Sequence, residues 1–267
     1  FLRALYYWDL VQLFETVPLT IKTEPQNLPR ATVEEMYAQM GSDMIKAIEL
    51  MPSVKYDMTE PGRATRWAAE GYLSRIFLFY TGFYQKESMP LNDGKTLTKA
   101  DMIAYLDDCI KNSGHDLVGD FRNLWAYSNS HTAKDWQWAI DNNLKWEGDS
   151  NKEVMYAYKY AKIGSNGTTQ MYKNFFMLWQ GLPTRINIMK TFPYAGGWAL
   201  GSVCPQIWDE WKAAEPTDIR RQGSIIDLDA EAPAYRAEGF DSWEETMYRA
   251  KKFMPVSAYD DKGNLKC

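Results

Sequence analysis

Four stretches within residues 1–113 set apolar side chains at helical spacing, and their starts recur at intervals of about 32 residues, near 1, 33, 65 and 98. The first carries Leu2, Leu5, Tyr6, Leu10, Leu13 and Phe14 with no N-cap ahead of it. The second follows Pro29 and opens with Thr32 and Glu35, a capping box in which hydroxyl and carboxylate satisfy two orphan amides. Its apolar face is Val33, Met36, Tyr37, Met40, Met44, Ile45 and Ile48. The third, after Pro61-Gly62, carries Trp67, Tyr72, Ile76 and Phe79, with Ala68, Ala69 and Gly71 small enough for close helix approach. The fourth begins at Thr98, runs through Met102, Ile103, Leu106 and Ile110, and is stopped by Asn112-Ser113-Gly114. Paired amphipathic helices of this kind are expected to form a helical-repeat array, each pair burying its face against its neighbours.

Beyond residue 113 the periodicity fades. Eight of the 11 tryptophans (Trp125, Trp136, Trp138, Trp146, Trp179, Trp198, Trp208 and Trp211) fall between residues 125 and 211. Glu153 to Tyr160 alternates as a half-buried strand would, with Tyr156, Tyr158 and Tyr160 on one face. Residues 1–113 are therefore expected to be a helical scaffold, and 114–267 a loop-rich ligand-binding region of the same domain. Because Phe1 starts inside an apolar stripe and Lys266-Cys267 follows a turn-rich run, the sequence reads as an internal fragment truncated at both ends.

Charge and composition narrow the function. Thirty Lys and Arg against 35 Asp and Glu argue against a nucleic-acid binder, which needs a basic footprint. No wholly apolar run is longer than Ile76 to Tyr80, far short of the roughly 20 residues of a spanning helix. Two histidines and three widely spaced cysteines, Cys109, Cys204 and Cys267, leave little for nucleophile-base pairs, metal sites or a disulfide framework. Asp107-Asp108, Asp227-Leu-Asp229 and Asp260-Asp261 read as solvated surface, since adjacent helical acids diverge and no EF-hand spacing is present. Asn92-Asp93-Gly94 and Asn166-Gly167-Thr168 read as turns. No catalytic residue, metal ligand or cofactor is expected.

Several segments together resemble one family. Phe1-Leu-Arg-Ala-Leu-Tyr-Tyr-Trp-Asp-Leu10, Val17-Pro18-Leu19 and Pro29-Arg-Ala-Thr-Val-Glu-Glu-Met-Tyr37 are similar to the helix and loop signature of SusD/RagB nutrient-binding outer-membrane lipoproteins. Gly62-Arg-Ala-Thr-Arg-Trp-Ala-Ala69 leading into Leu73 to Gly82 resembles the family's third helix, and Gly196-Gly197-Trp198 with Asp218-Ile-Arg220-Arg221 a later motif. The resemblance implies a mostly α fold, a tetratricopeptide-like scaffold with an irregular ligand-binding region. It also implies a non-enzymatic, cell-surface lipoprotein that delivers oligosaccharides to a SusC-like TonB-dependent transporter and touches the membrane only through a lipid anchor upstream of Phe1. Its ligand residues vary between members, so none is carried over by position.

The residues point independently to sugar. Residues 154–208 contain no Asp or Glu, five bases and 11 aromatics, interleaved with amides and hydroxyls such as Asn166, Thr168, Gln170 and Asn174. Aromatic faces pack on the apolar C–H face of a pyranose, while neutral polar groups match its hydroxyls without burying a charge. The bland reading is that large aromatics make the core. Trp136 and Trp138 lead the candidates, because the flanking Ser128-Asn129-Ser130-His131-Thr132 makes exposure of two indoles expected. Trp125 lies in the same window, and Tyr156, Tyr158 and Tyr172 stand in reserve. Trp198 ranks last, since its glycine-flanked motif reads as structural. The rivals are a peptide-binding member of the same family, which would pair backbones rather than stack sugars, a glycoside hydrolase, and a purely structural scaffold.

Overall fold

The computed structural model describes residues 1–24, 27–58, 62–128, 134, 136–148, 151–158, 179–183, 194, 196–198, 200–233, 246–254, 256, 258–259 and 265–266. The chain divides into two compact units, Phe1–Leu117 with Lys152–Lys159, and Val118–Asn151 with Tyr160–Cys267.

The first unit is built on four helices: α1 (Leu2–Phe14), α2 (Val33–Leu50), α3 (Arg66–Phe83) and α4 (Lys99–Asn112). Their starts fall within one residue of those read from the apolar spacing. Local chemistry fixes the boundaries of three of them. The Thr32 hydroxyl accepts from the Glu35 amide at 3.2 Å, and the Glu35 carboxylate accepts from the Thr32 amide at 2.8 Å. Thr98 and Asp101 repeat that reciprocal box at α4, and Thr65 caps α3 by accepting from the Ala68 amide at 3.1 Å. Such caps contribute about 1 kcal/mol each. Gly114, at φ +75°, turns the chain out of α4 where a Cβ would be strained.

Helix α2 packs against α1 and α3, and α3 packs against α4. The shared core holds Tyr7, Trp8 and Val11 of α1, Met36, Met40 and Met44 of α2, and Leu73, Ile76 and Phe77 of α3. A short antiparallel hairpin, β1 (Met89–Pro90) with β2 (Thr96–Leu97), adds Met89 and Leu97 to this core around the Asn92-Asp93-Gly94 turn. Gly41 admits it: a Cβ there would sit 2.7 Å from Met89 Cε. Arg66 ties two helices together, donating to Glu70 at 3.0 Å and to Asp108 at 2.5 Å.

The second unit is assembled from short pieces: α5 (Gln137–Asp141), β3 (Leu182–Pro183), β4 (Gly196–Gly197), α6 (Pro205–Ala214), α7 (Ile219–Ser224), β5 (Ile225–Asp227), α8 (Leu228–Glu231), β6 (Tyr248–Ala250), β7 (Ala258–Tyr259) and β8 (Leu265–Lys266). Strands β5 and β6 pair antiparallel, Ile226 opposite Arg249, and β3 pairs β4 in parallel. The main core of this unit gathers Tyr127, Trp136, Leu182, Tyr194, Ile226 and Met254. A smaller one is centred on Trp208, whose ring stacks on Tyr248 at 4.8 Å and carries the Arg221 guanidinium, also 4.8 Å away. Among the described residues no helix is long and apolar enough to cross a membrane, and no three His, Cys, Asp or Glu side chains gather as a metal site.

Candidate functional site

The expected leading pair, Trp136 and Trp138, is built into the second unit's core. The Trp136 carbonyl accepts the first amides of α5, from Ala139 at 2.9 Å and Ile140 at 3.1 Å, which fixes both indoles at the start of that turn. Their rings lie 4.7 Å apart, with Tyr127 edge-on to both and Tyr194 edge-on to Trp136 at 5.4 Å. Trp136 is only 4% exposed. This corrects the expected exposure of Trp136, and the reason is a cation far along the chain. The Lys251 ammonium, fully buried, sits 3.5 Å from the Trp138 ring centre, 4.8 Å from Tyr127 and 5.2 Å from Trp136. It donates to Glu231 at 2.7 Å and to the Gln222 carbonyl at 3.1 Å. The Tyr194 hydroxyl donates to the same Glu231 oxygen at 2.7 Å. Burial pulls the Lys251 ammonium down to about 8, with Glu231 opposing the shift, and burial pushes the Glu231 carboxyl upward against the pull of Lys251. The rings thus act as a cation–π cage for an internal lysine, and the half-buried Trp138 has one face occupied.

Trp125 is half-buried, edge-on to Phe121 at 5.6 Å and to Phe253 at 5.7 Å, with the Lys252 ammonium 5.2 Å from its ring. Among the described residues of this unit, the exposed indoles are Trp198, at 58%, and Trp179, at 40%. Trp198 directly follows β4. Pairing of Leu182 with Gly196 and of Pro183 with Gly197, together with a 2.7 Å bond from the Leu200 amide to the Trp179 carbonyl, sets the two Trp-bearing segments alongside each other. Leu182 anchors them in the core, fully buried. Trp198 therefore gains the exposure that its glycine-flanked motif did not suggest. Trp179 was not singled out by sequence reasoning; its place in the acid-free window was the available signal.

Tyr156 and Tyr158 belong to the first unit. Among residues 153–158 no strand forms, contrary to the alternation. Tyr156 instead packs edge-on to Phe1 at 5.2 Å and Tyr72 at 6.3 Å, while Met155 lies over Gly71, where a Cβ would be 3.3 Å from its Cε. Tyr158 is 51% exposed. Tyr172 lies outside the described residues, as do Asn129 to Ala133. An open groove of about 490 Å³ beside α2, floored by Leu19, Leu28, Pro29, Ala38 and Pro90, has no aromatic ring in its lining and so offers nothing for a sugar to stack on.

Comparison with known proteins places this architecture. A SusD-like family profile, described as starch-binding associating with outer membrane, matches residues 1–78, the region of α1, α2 and most of α3. A SusD-like protein of Bacteroides ovatus is 25% identical over 139 residues, 49% of this chain and 23% of that protein. Over these residues the chain is similar to SusD-like proteins. Solved structures share the fold across both units. A laminarin-binding SusD-like protein matches at a TM-score of 0.63 and 24% identity, covering 95% of this chain and 50% of that one. A protein solved with xylogluco-oligosaccharide matches at a TM-score of 0.61 and 18% identity, covering 94% of this chain and 44% of that one. The mostly helical, tetratricopeptide-like class expected of a SusD/RagB chain holds. The chain spans about half the length of these two solved proteins, and about a quarter of the Bacteroides ovatus one.

Proposed function

We propose that this chain binds oligosaccharides at the outer cell surface and passes them, chemically unchanged, to a SusC-like TonB-dependent transporter, with a lipid anchor as its link to the outer membrane. The observation that carries the reading is the exposed pair Trp179 and Trp198 on adjoining segments of the loop-rich unit. Exposed indoles of this kind present flat apolar faces to the C–H face of a pyranose, within a stretch of sequence free of Asp and Glu. Trp198 and Trp179 take the stacking role, and Trp125, Trp136 and Trp138 support the core beneath. The family profile and the solved glycan-binding relatives support the same reading.

Calorimetric titration with laminarin and xyloglucan oligosaccharides, and in parallel with short peptides, tests it. Saturable heat with at least one glycan and none with peptides is expected. Trp198→Ala should weaken glycan binding about 5–10-fold, and chromatography of the incubated oligosaccharides should show no cleavage. Tight peptide binding, or hydrolysed products, refutes the proposal. Delivery is tested separately by extracting the native protein from membranes, where a TonB-dependent barrel should co-purify.

A further inference from the structure

The first unit carries an aromatic surface that the glycan reading leaves unused. Tyr6 and Asp9 lie three apart on α1, and Tyr72 and Arg75 three apart on α3, so each pair shares one helix face. The segment bearing Tyr156 and Tyr158 is held against them. Tyr156 contacts Tyr72 edge-on at 6.3 Å and Tyr158 at 5.5 Å, and the Arg75 guanidinium lies 5.7 Å from the Tyr72 ring centre. Phe1 backs the array, edge-on to both Tyr72 and Tyr156 at 5.8 and 5.2 Å. The outermost rings remain open, Tyr6 at 56% and Tyr158 at 51%, and Asp9 and Arg75 are both exposed. Burial raises the Tyr72 hydroxyl pKa, with Arg75 opposing and Asp9 adding to the shift, and burial, Tyr156 and Asp9 raise that of Tyr158.

We propose that Tyr6, Tyr158 and Tyr72, flanked by Asp9 and Arg75, form a second carbohydrate platform on the first unit, separate from the Trp179 and Trp198 pair, for a neutral oligosaccharide. The inference rests on the glycan reading above and extends it. The chemistry is complementary to a pyranose: open phenol rings for its C–H face, a carboxylate that accepts from two hydroxyls, and a guanidinium that donates to ring or hydroxyl oxygens. One acid and one base offset each other, so the platform selects neutral sugar over uronic acid or amino sugar. A plain apolar docking face would lack these interleaved charges.

The test labels the whole protein with 3-fluorotyrosine, assigns the Tyr6 and Tyr158 signals by Tyr→Phe substitution, and titrates neutral laminarin and xyloglucan oligosaccharides. In a Trp179→Ala/Trp198→Ala variant, both fluorine signals should still shift and saturate. Tyr158→Ala should weaken that residual binding about 5–10-fold, with the melting temperature unchanged and Trp198-dependent binding intact. Glycan binding that depends on Trp198 while the Tyr6 and Tyr158 signals stay fixed overturns the second platform and leaves the glycan reading standing. Failure of every glycan to bind the unsubstituted protein overturns both. A concentration-dependent dimer that Tyr158→Ala converts to monomer identifies the face as a contact between copies, and also overturns the proposal.

Discussion

Replacing Lys251 by Met tests whether the second unit is organised around its internal ion pair. Methionine keeps much of the apolar stem but removes the ammonium from between Tyr127, Trp136 and Trp138, and leaves the Glu231 carboxylate with the Tyr194 hydroxyl at 2.7 Å and the Asp227 amide at 3.4 Å. Both pair members are buried, Lys251 at 0% and Glu231 at 3% side-chain exposure, so water cannot take the place of the lost cation. Breaking one partner of such a pair costs about 3–5 kcal/mol, within which the lost cation–π contacts account for up to about 2. At about 2–4 °C per kcal/mol for a chain of this size, the melting temperature should fall by roughly 6–20 °C. Adding Glu231→Gln should recover a substantial part of that loss, because the stranded charge goes with it. Calorimetric melting and urea unfolding followed by near-ultraviolet circular dichroism, on both single variants and the double variant, yield the coupling. A Lys251→Met protein that melts within about 1 °C of the parent, or a double variant whose losses simply add, would refute the cage as an organising element.

Further outcomes follow from the same contacts. Trp138→Ala should cost roughly 3–5 kcal/mol of folding stability, while Trp198→Ala, at a residue 58% exposed, should cost clearly less; urea midpoints separate them. Burial lifts the Glu70 carboxyl to about 7 against the pull of Arg66. Its folded-state pKa thus exceeds the ordinary 4.5, so its contribution is complete below about pH 4.5 and disappears as pH rises through about 7. In melting curves recorded from pH 4.5 to 8, Glu70→Gln should flatten that decline. Gly223→Ala would place a Cβ 2.8 Å from the Phe121 ring, and overpacking of this kind should cost about 1–3 kcal/mol in denaturant titration.

The four helices were legible because each carries its instructions locally. Apolar stripes, Thr32 with Glu35, and Thr98 ahead of α4 need no distant partner to be read. Asp101 completes the α4 box in place of the more usual Glu or Gln, so the residue pattern alone does not spell out that box. The turn at Asn92-Asp93-Gly94 was readable, but strands of two residues on either side leave too little alternation to detect. Tyr156 and Tyr158 alternate without forming a strand because Phe1 and Tyr72, rather than a neighbouring strand, receive Tyr156. Exposure of the tryptophans was the least legible property. Nothing near Trp136 and Trp138 announces Lys251 or Glu231, so a polar neighbourhood in sequence concealed a buried one in space. Conversely, the pairing of β3 with β4, not the motif itself, sets Trp198 at the surface.

The position of Glu231 has a bearing on the order in which the chain folds. Tyr194, 37 residues earlier, and Lys251, 20 residues later, both close onto its carboxylate, and Tyr127 donates to the Gly223 carbonyl across 96 residues at 2.9 Å. Loop closures of that length lose chain entropy before any compensating contact is made, whereas α2 and α3 draw on capped helices adjacent in the chain. The first unit is therefore expected to form early, while its successor waits for residues beyond 250 before its lysine can leave water. During synthesis the aromatic segments of the second unit stay uncovered throughout that interval, the stage at which such chains are most exposed to misassembly.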